Sequence, residues 1–230
     1  MDKILLMLQL QTQLNEATNG DEWTKGVTKN FKIINWKRCI YMECAEMVDS
    51  FSWKHWKNIN KEPDWENLQI EVVDVWHFIM SLAIENYAMN MRGRVEDLAI
   101  NISMMPCFGG INTQSNLFAK QDEIILKVET IMLLSLNKEG VELEELIKEF
   151  FELVLMSGLD LDTLYRLYVG KNILNQFRQD NGYKDGTYIK EWDGEEDNVV
   201  MKRLWEEDSN IKPEVLYKNL TKLYLSLNKS

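Results

Sequence analysis

Residues 70–84 read IEVVDVWHFIMSLAI, an apolar run interrupted by Glu71, Asp74 and His77 at three-residue steps. On a strand such steps would throw successive polar side chains to opposite faces. On a helix residues three apart point the same way. The neighbours of Glu71 and Asp74 are apolar on every side, so the two acids are not a solvated face. This stretch therefore demands a largely buried helix, and its carboxylates demand a partner.

Helical periodicity extends along most of the chain. It predicts helices over 2–17, 31–51, 65 to the low 90s, 119–136, 141–156 and 159–179, with two short ones near 197–207 and 213–227. In the fifth of these, Leu143, Leu146, Ile147, Phe150, Val154 and Leu155 follow the i, i+3, i+4, i+7 pattern. Three prolines and eleven glycines in 230 residues leave the pattern little interrupted, and no alternating strand pattern of useful length occurs. The expected fold is an all-α helical bundle forming a single unit, with a lobe break placed near 104–118, where Pro106, Gly109 and Gly110 cluster.

Several function classes are excluded. The formal net charge is −11 with no long basic run, which argues against nonspecific binding of nucleic acid. The longest apolar run opens the chain, is shorter than the ~20 residues a membrane helix needs and carries acids. That opening starts with Asp2, has one lysine and lacks a small-residue cleavage site, so it reads as a helix of the mature protein. Cys39, Cys44 and Cys107 are an odd set without CxxC spacing, and His55 and His77 are the only histidines. A structural zinc site is thus not expected, and reduced thiols suit a cytoplasmic protein.

Upstream of Glu71 and Asp74, the stretch YMECAEMVDS holds Glu43 and Glu46, also three apart and flanked by Ile40 and Met47. Two consecutive helices each offer an acidic pair to the interior. Four facing carboxylates cannot all stay ionised without a counter-charge. An ion-pair network with Lys or Arg is one answer. A divalent cation is the other, and hard oxygen ligands select Mg²⁺ or Mn²⁺. A di-iron site would need a second acid-x-x-His beside Asp74 and His77, and none exists.

Mg²⁺ held by carboxylates commonly works on phosphates, which need cations of their own. Leu164, Tyr168, Lys171, Asn175 and Arg178 form one stripe that turns basic toward its C-terminal end, followed by Tyr183 and Lys184 in a glycine-flanked turn. The alternative is a set of surface cations at a helix C-terminus, where the macrodipole favours them. Gln11 and Asn15 extend the apolar row of Ile4 and Leu8, and carboxamides suit the edge of a pyrimidine; a solvated helix end is the other reading. Trp53 and Trp56 either stack on a base or cover the core.

Glu43-x-x-Glu46 followed by Glu71-x-x-Asp74 resembles the metal motif of the all-α nucleoside triphosphate pyrophosphohydrolases. LQTQLN (10–15), ECAEMVDSFSWKHWK (43–57), EVVDVWHF (71–78) and GKNILNQFRQDNGYKDGTY (170–188) resemble, more narrowly, the dimeric deoxyuridine triphosphatases. That resemblance implies Mg²⁺-dependent hydrolysis of dUTP, and of dUDP, to dUMP by a homodimer of two lobes that close on the nucleotide. It implies that Glu43, Glu46, Glu71 and Asp74 carry the ions, with Glu46, or else Glu43, activating the attacking water. Gln11 and Asn15 would read the uracil edge, Trp53 or Trp56 would pack on the ring, and His77 and Phe78 would lie against the deoxyribose. Lys171, Asn175, Arg178, Tyr183 and Lys184 would meet the phosphates. The competing readings are a pyrophosphohydrolase for another nucleotide such as dCTP, and a noncatalytic helical interaction protein.

Overall fold

A computed structural model describes residues 2–57, 62–113, 119–137, 140, 142–208 and 211–227. The fold is all-α. Ten α-helices occur among these residues: α1 (Asp2–Asn19), α2 (Trp36–Asp49), α3 (Trp65–Met89), α4 (Val95–Met104), α5 (Pro106–Thr113), α6 (Gln121–Leu136), α7 (Leu143–Met156), α8 (Leu161–Asp180), α9 (Asp197–Glu207) and α10 (Pro213–Leu227). A two-residue hairpin, β1 (Glu191–Trp192) and β2 (Glu195–Glu196), precedes α9. The chain divides into two compact units, Met1–Leu164 and Tyr165–Ser230.

In the first unit α3 is the central element, packing against α1, α2 and α7. Leu68, Val72, Val75, Trp76, Ile79, Met80 and Ala83 are all buried, which is why this stretch reads as a continuous apolar run. Ile4, Met7 and Leu8 of α1 and Ile40, Cys44 and Met47 of α2 are buried as well. Trp76 stacks parallel to Phe150 of α7 with ring centroids 4.9 Å apart. Asp64 caps α3 by accepting the Asn67 N–H at 3.0 Å.

Three departures from the periodicity have local causes. The helix expected from residue 31 starts at Trp36, because the Asn35 side chain accepts the Arg38 N–H and caps it there. Residues 27–34 instead form a tight turn, with a Val27–Ile33 bridge and the Ile34 N–H donating to Gly26 O, and Ile33 is left exposed. Helix α4 was not expected. Its start is marked by the Asp97 carboxylate accepting the Arg94 N–H at 2.8 Å, and Leu98, Ala99 and Ile102 are its buried face. The segment chosen as a break is helical over 106–113, since Pro106 stands at the first position of α5, where a missing N–H is harmless. Residues 114–118 lie outside the described residues, and the compact division falls at Leu164 and Tyr165.

The second unit is built on Phe177. Its ring meets Trp192, Tyr217 and Tyr224 edge-on at 5.4–5.9 Å, with Leu174, Val200, Met201, Leu216 and Leu220 around them. A Cβ at Gly170 would lie 2.7 Å from Met201 Sδ, so glycine lets α9 approach α8 closely. The hairpin turns at Asp193 and Gly194, both with positive φ, which is the signature of an Asp-Gly turn.

Glu85, near the end of α3, has a fully buried Oε1 that accepts no hydrogen bond from the described residues. Desolvation pushes its carboxyl up to about 7, the neighbouring Trp36 indole only partly opposing the rise. Between the ordinary carboxyl range near 4.5 and about 7 the folded state therefore holds more protons than the unfolded one. Stability from this group is full below that window and is lost as pH rises through it. Glu85→Gln should accordingly raise the melting temperature at pH 8 and leave it unchanged at pH 4. Melting curves across that range check this, and an equal offset at both ends would refute it.

Candidate active site

The acidic pairs sit on facing helices, because α2 packs along α3. Glu43, Glu46 and Glu71 each bring a carboxylate oxygen within 4.8 Å of the other two. Glu71 is buried, Glu43 half-buried and Glu46 exposed, so the cluster grades from interior to surface. Asp74 is half-buried one turn further along α3 and is not part of this three-way convergence. Three hard oxygen donors at this spacing fit a small divalent cation, since ligands at ~2.1 Å from Mg²⁺ lie up to ~4.2 Å apart and modest side-chain rotation closes the difference.

One turn beyond, α3 and α1 share a buried polar network. His77 Nδ1 lies 2.7 Å from Gln11 Oε1, and with the Gln11 carboxamide in this orientation the imidazole proton sits on Nδ1. Gln11 Nε2 donates to Asn15 Oδ1 at 3.1 Å and to Ser81 Oγ at 3.0 Å, and Asn15 Nδ2 donates to the same Oγ at 2.9 Å. Asn15 is buried, which removes the solvated-helix-end reading. Ser81 escaped the sequence reading; its place four residues after His77 was the available signal. Phe78, half-buried, is stacked on Trp36 at 6.1 Å, and Trp36 in turn meets Trp23 edge-on.

Trp53 and Trp56 do not cover the core. Both are exposed, at 42% and 64%, and meet each other edge-on at 5.7 Å. Asp49 Oδ1 accepts from Trp53 Nε1 at 2.7 Å and from Lys54 Nζ at 3.0 Å, which ties the start of the loop back to α2.

The basic stripe belongs to the second unit, apart from its first member, Leu164. Lys171 and Arg178 are not surface cations: they are 3% and 7% exposed. Lys171 Nζ donates to Asn198 Oδ1 at 2.7 Å. Arg178 donates from Nε and Nη2 to the two carboxylate oxygens of Asp197 at 2.8 and 2.7 Å, and also to Asn198 and Asn175. Asp197, fully buried at the start of α9, also accepts from Tyr188 Oη at 2.8 Å. Burial, then the charge of Asp197, pushes the Tyr188 phenol above its usual range. Asn175 is half-buried, while Tyr183 and Lys184 are exposed, with the Arg178 guanidinium 5.7 Å from the Tyr183 ring centroid. Asp197 and Asn198 were not foreseen, because α9 showed only helical periodicity.

No helix among the described residues is long and apolar enough to cross a membrane. The protein-family model described as dUTPase matches residues 3–183, a span containing the acidic cluster, the α1–α3 network and the basic stripe. No curated protein matches the chain significantly.

Proposed function

The chain belongs to the dUTPase family and is a dUTP-hydrolysing enzyme, and from that premise we propose how it works. The reaction is dUTP plus water to dUMP and pyrophosphate, with dUDP giving dUMP and phosphate. Glu43, Glu46, Glu71 and Asp74 would hold Mg²⁺, with Mn²⁺ a substitute. The observation that carries this reading is the convergence of three carboxylates within 4.8 Å on two packed helices. The chemistry such ions supply is neutralisation of phosphate charge and acidification of water.

Glu46 is the proposed general base, with Glu43 second. Being the exposed member of the cluster, Glu46 is the one best able to take a proton from water at the surface of the site. Gln11 and Asn15 would meet the uracil edge, and His77 and Phe78 the deoxyribose. Trp36 behind Phe78 stiffens that ring against a 2′-hydroxyl. Trp53 or Trp56 would lie on the base; their exposure leaves ring faces available for stacking. In the second unit, Lys171, Asn175, Arg178, Tyr183 and Lys184 would meet phosphate oxygens, the cations stabilising charge as it develops. We further propose a homodimer in the cytoplasm, three unpaired thiols being compatible with a reducing compartment.

Pyrophosphate release from dUTP, dCTP, dTTP and UTP, measured with Mg²⁺ and again after chelation, tests the reading. dUTP should be cleaved faster than all three, and at least about a hundredfold faster than dCTP, as expected where buried polar groups read the base edge. UTP carries the same base, so its slower cleavage would report the contact of Phe78 with the sugar. Chelation should abolish turnover and added Mg²⁺ restore it. Undiminished hydrolysis in excess chelator would remove the metal role, and preference for dCTP would remove the base assignment.

A further inference from the structure

Uracil and cytosine differ on their pairing edge by a reversal of polarity. Uracil places the O4 acceptor beside the N3–H donor, whereas cytosine places an N4–H donor beside the N3 acceptor. A carboxamide is an acceptor and a donor on one planar group, and a half-turn exchanges them. A site that reads this edge with freely turning Gln and Asn side chains would accept both bases. Selectivity requires something that stops the half-turn.

Ser81 Oγ has that capacity. Its single hydrogen is committed to the His77 carbonyl oxygen at 2.8 Å, one turn back along α3. Towards the two carboxamides it can then only accept. Gln11 Nε2 and Asn15 Nδ2 both face it, at 3.0 and 2.9 Å, and turning either group would bring an oxygen against the hydroxyl lone pairs. Asn15 Oδ1 accepts from Gln11 Nε2, which agrees with this orientation, whereas the His77 imidazole facing Gln11 Oε1 matches either orientation by its choice of tautomer. Among the described residues these bonds use one hydrogen of Asn15 Nδ2 and one lone pair of Oδ1. A second hydrogen and a second lone pair remain on that one group, in fixed order. Ser81 itself is fully buried.

We propose that Ser81 is a positioning residue that fixes the donor–acceptor polarity of Gln11 and Asn15 and so makes the site select uracil over cytosine. The proposal rests on the reading that these two carboxamides face the base. Its test is the ratio of kcat/KM for dUTP to that for dCTP, in the full-length protein and in Ser81→Ala and Asn15→Ala. Ser81→Ala should lower the ratio at least about tenfold, because the two carboxamides can then turn together, the other tautomer of His77 matching the turned Gln11 and no hydroxyl opposing it. A general packing defect would lower both substrates together and leave the ratio where it was. If Ser81→Ala does not melt cooperatively, Ser81→Cys takes its place, filling similar volume with a poorer hydrogen-bonding atom, and the same fall is expected. An unchanged ratio in the serine variant, with dUTP kcat/KM reduced in Asn15→Ala, overturns the proposal and spares the base assignment. An Asn15→Ala enzyme with wild-type kcat/KM for dUTP ends both.

Discussion

Glu46→Gln is expected to reduce kcat for dUTP by about 10²–10⁴-fold, the range for loss of a positioned general base, with no change in melting temperature. Glu46 is exposed, so its replacement by an isosteric amide leaves no buried charge without a partner. The amide keeps an oxygen that can face a cation but cannot take a proton at neutral pH. Loss of kcat at an unchanged Mg²⁺ requirement therefore marks a base. Loss that excess Mg²⁺ restores marks a ligand instead. Glu43→Gln is the comparison, and a larger fall in kcat there would exchange the two roles. Retention of full activity in Glu46→Gln would sink the mechanism.

Asp197→Ala should lower the stability of the chain by about 3–5 kcal/mol, the usual effect of stripping one partner from a buried ion pair. Asp197 has no exposed surface and receives two hydrogen bonds from Arg178 and one from Tyr188. Its removal takes a carboxylate, and two hydrogen bonds, from a guanidinium that is 7% exposed. For a chain of this size that corresponds to a fall in melting temperature of about 6–20 °C. Replacing the pair together, Arg178→Met with Asp197→Leu, should recover much of the stability, since apolar groups of similar volume often substitute for a buried pair without loss. Activity should not return in the double variant if Arg178 meets phosphate. A single Asp197→Ala variant that melts with the wild type would show that the pair contributes nothing, and a double variant with normal kcat/KM would remove Arg178 from the site.

What could be read in the residues, and what could not, divides by range. Periodicity placed α1, α6, α7, α8, α9 and α10 within two residues and α3 within a few, because a helix buries a stripe whose spacing is local. It failed at residues 31–35, where a side-chain cap at Asn35 outweighed the apolar Ile33, and at α4, whose cap at Asp97 was overlooked beside a stronger-looking break. It misjudged Pro106, which starts a helix rather than ending one.

The sequence by itself determined that the chain is helical and that two acidic pairs lie near buried stripes, since residues three apart on a helix must share a face. It also carried the motifs by which the family is recognised. Tertiary structure alone decided that three of the four carboxylates converge within 4.8 Å and that Ser81 joins Gln11 to Asn15. It alone decided that Lys171 and Arg178 are buried against Asn198 and Asp197. The reason is physical. Helical spacing fixes where a side chain points on its own helix, while its partner is set by how helices pack, and packing joins residues that are not neighbours in the chain.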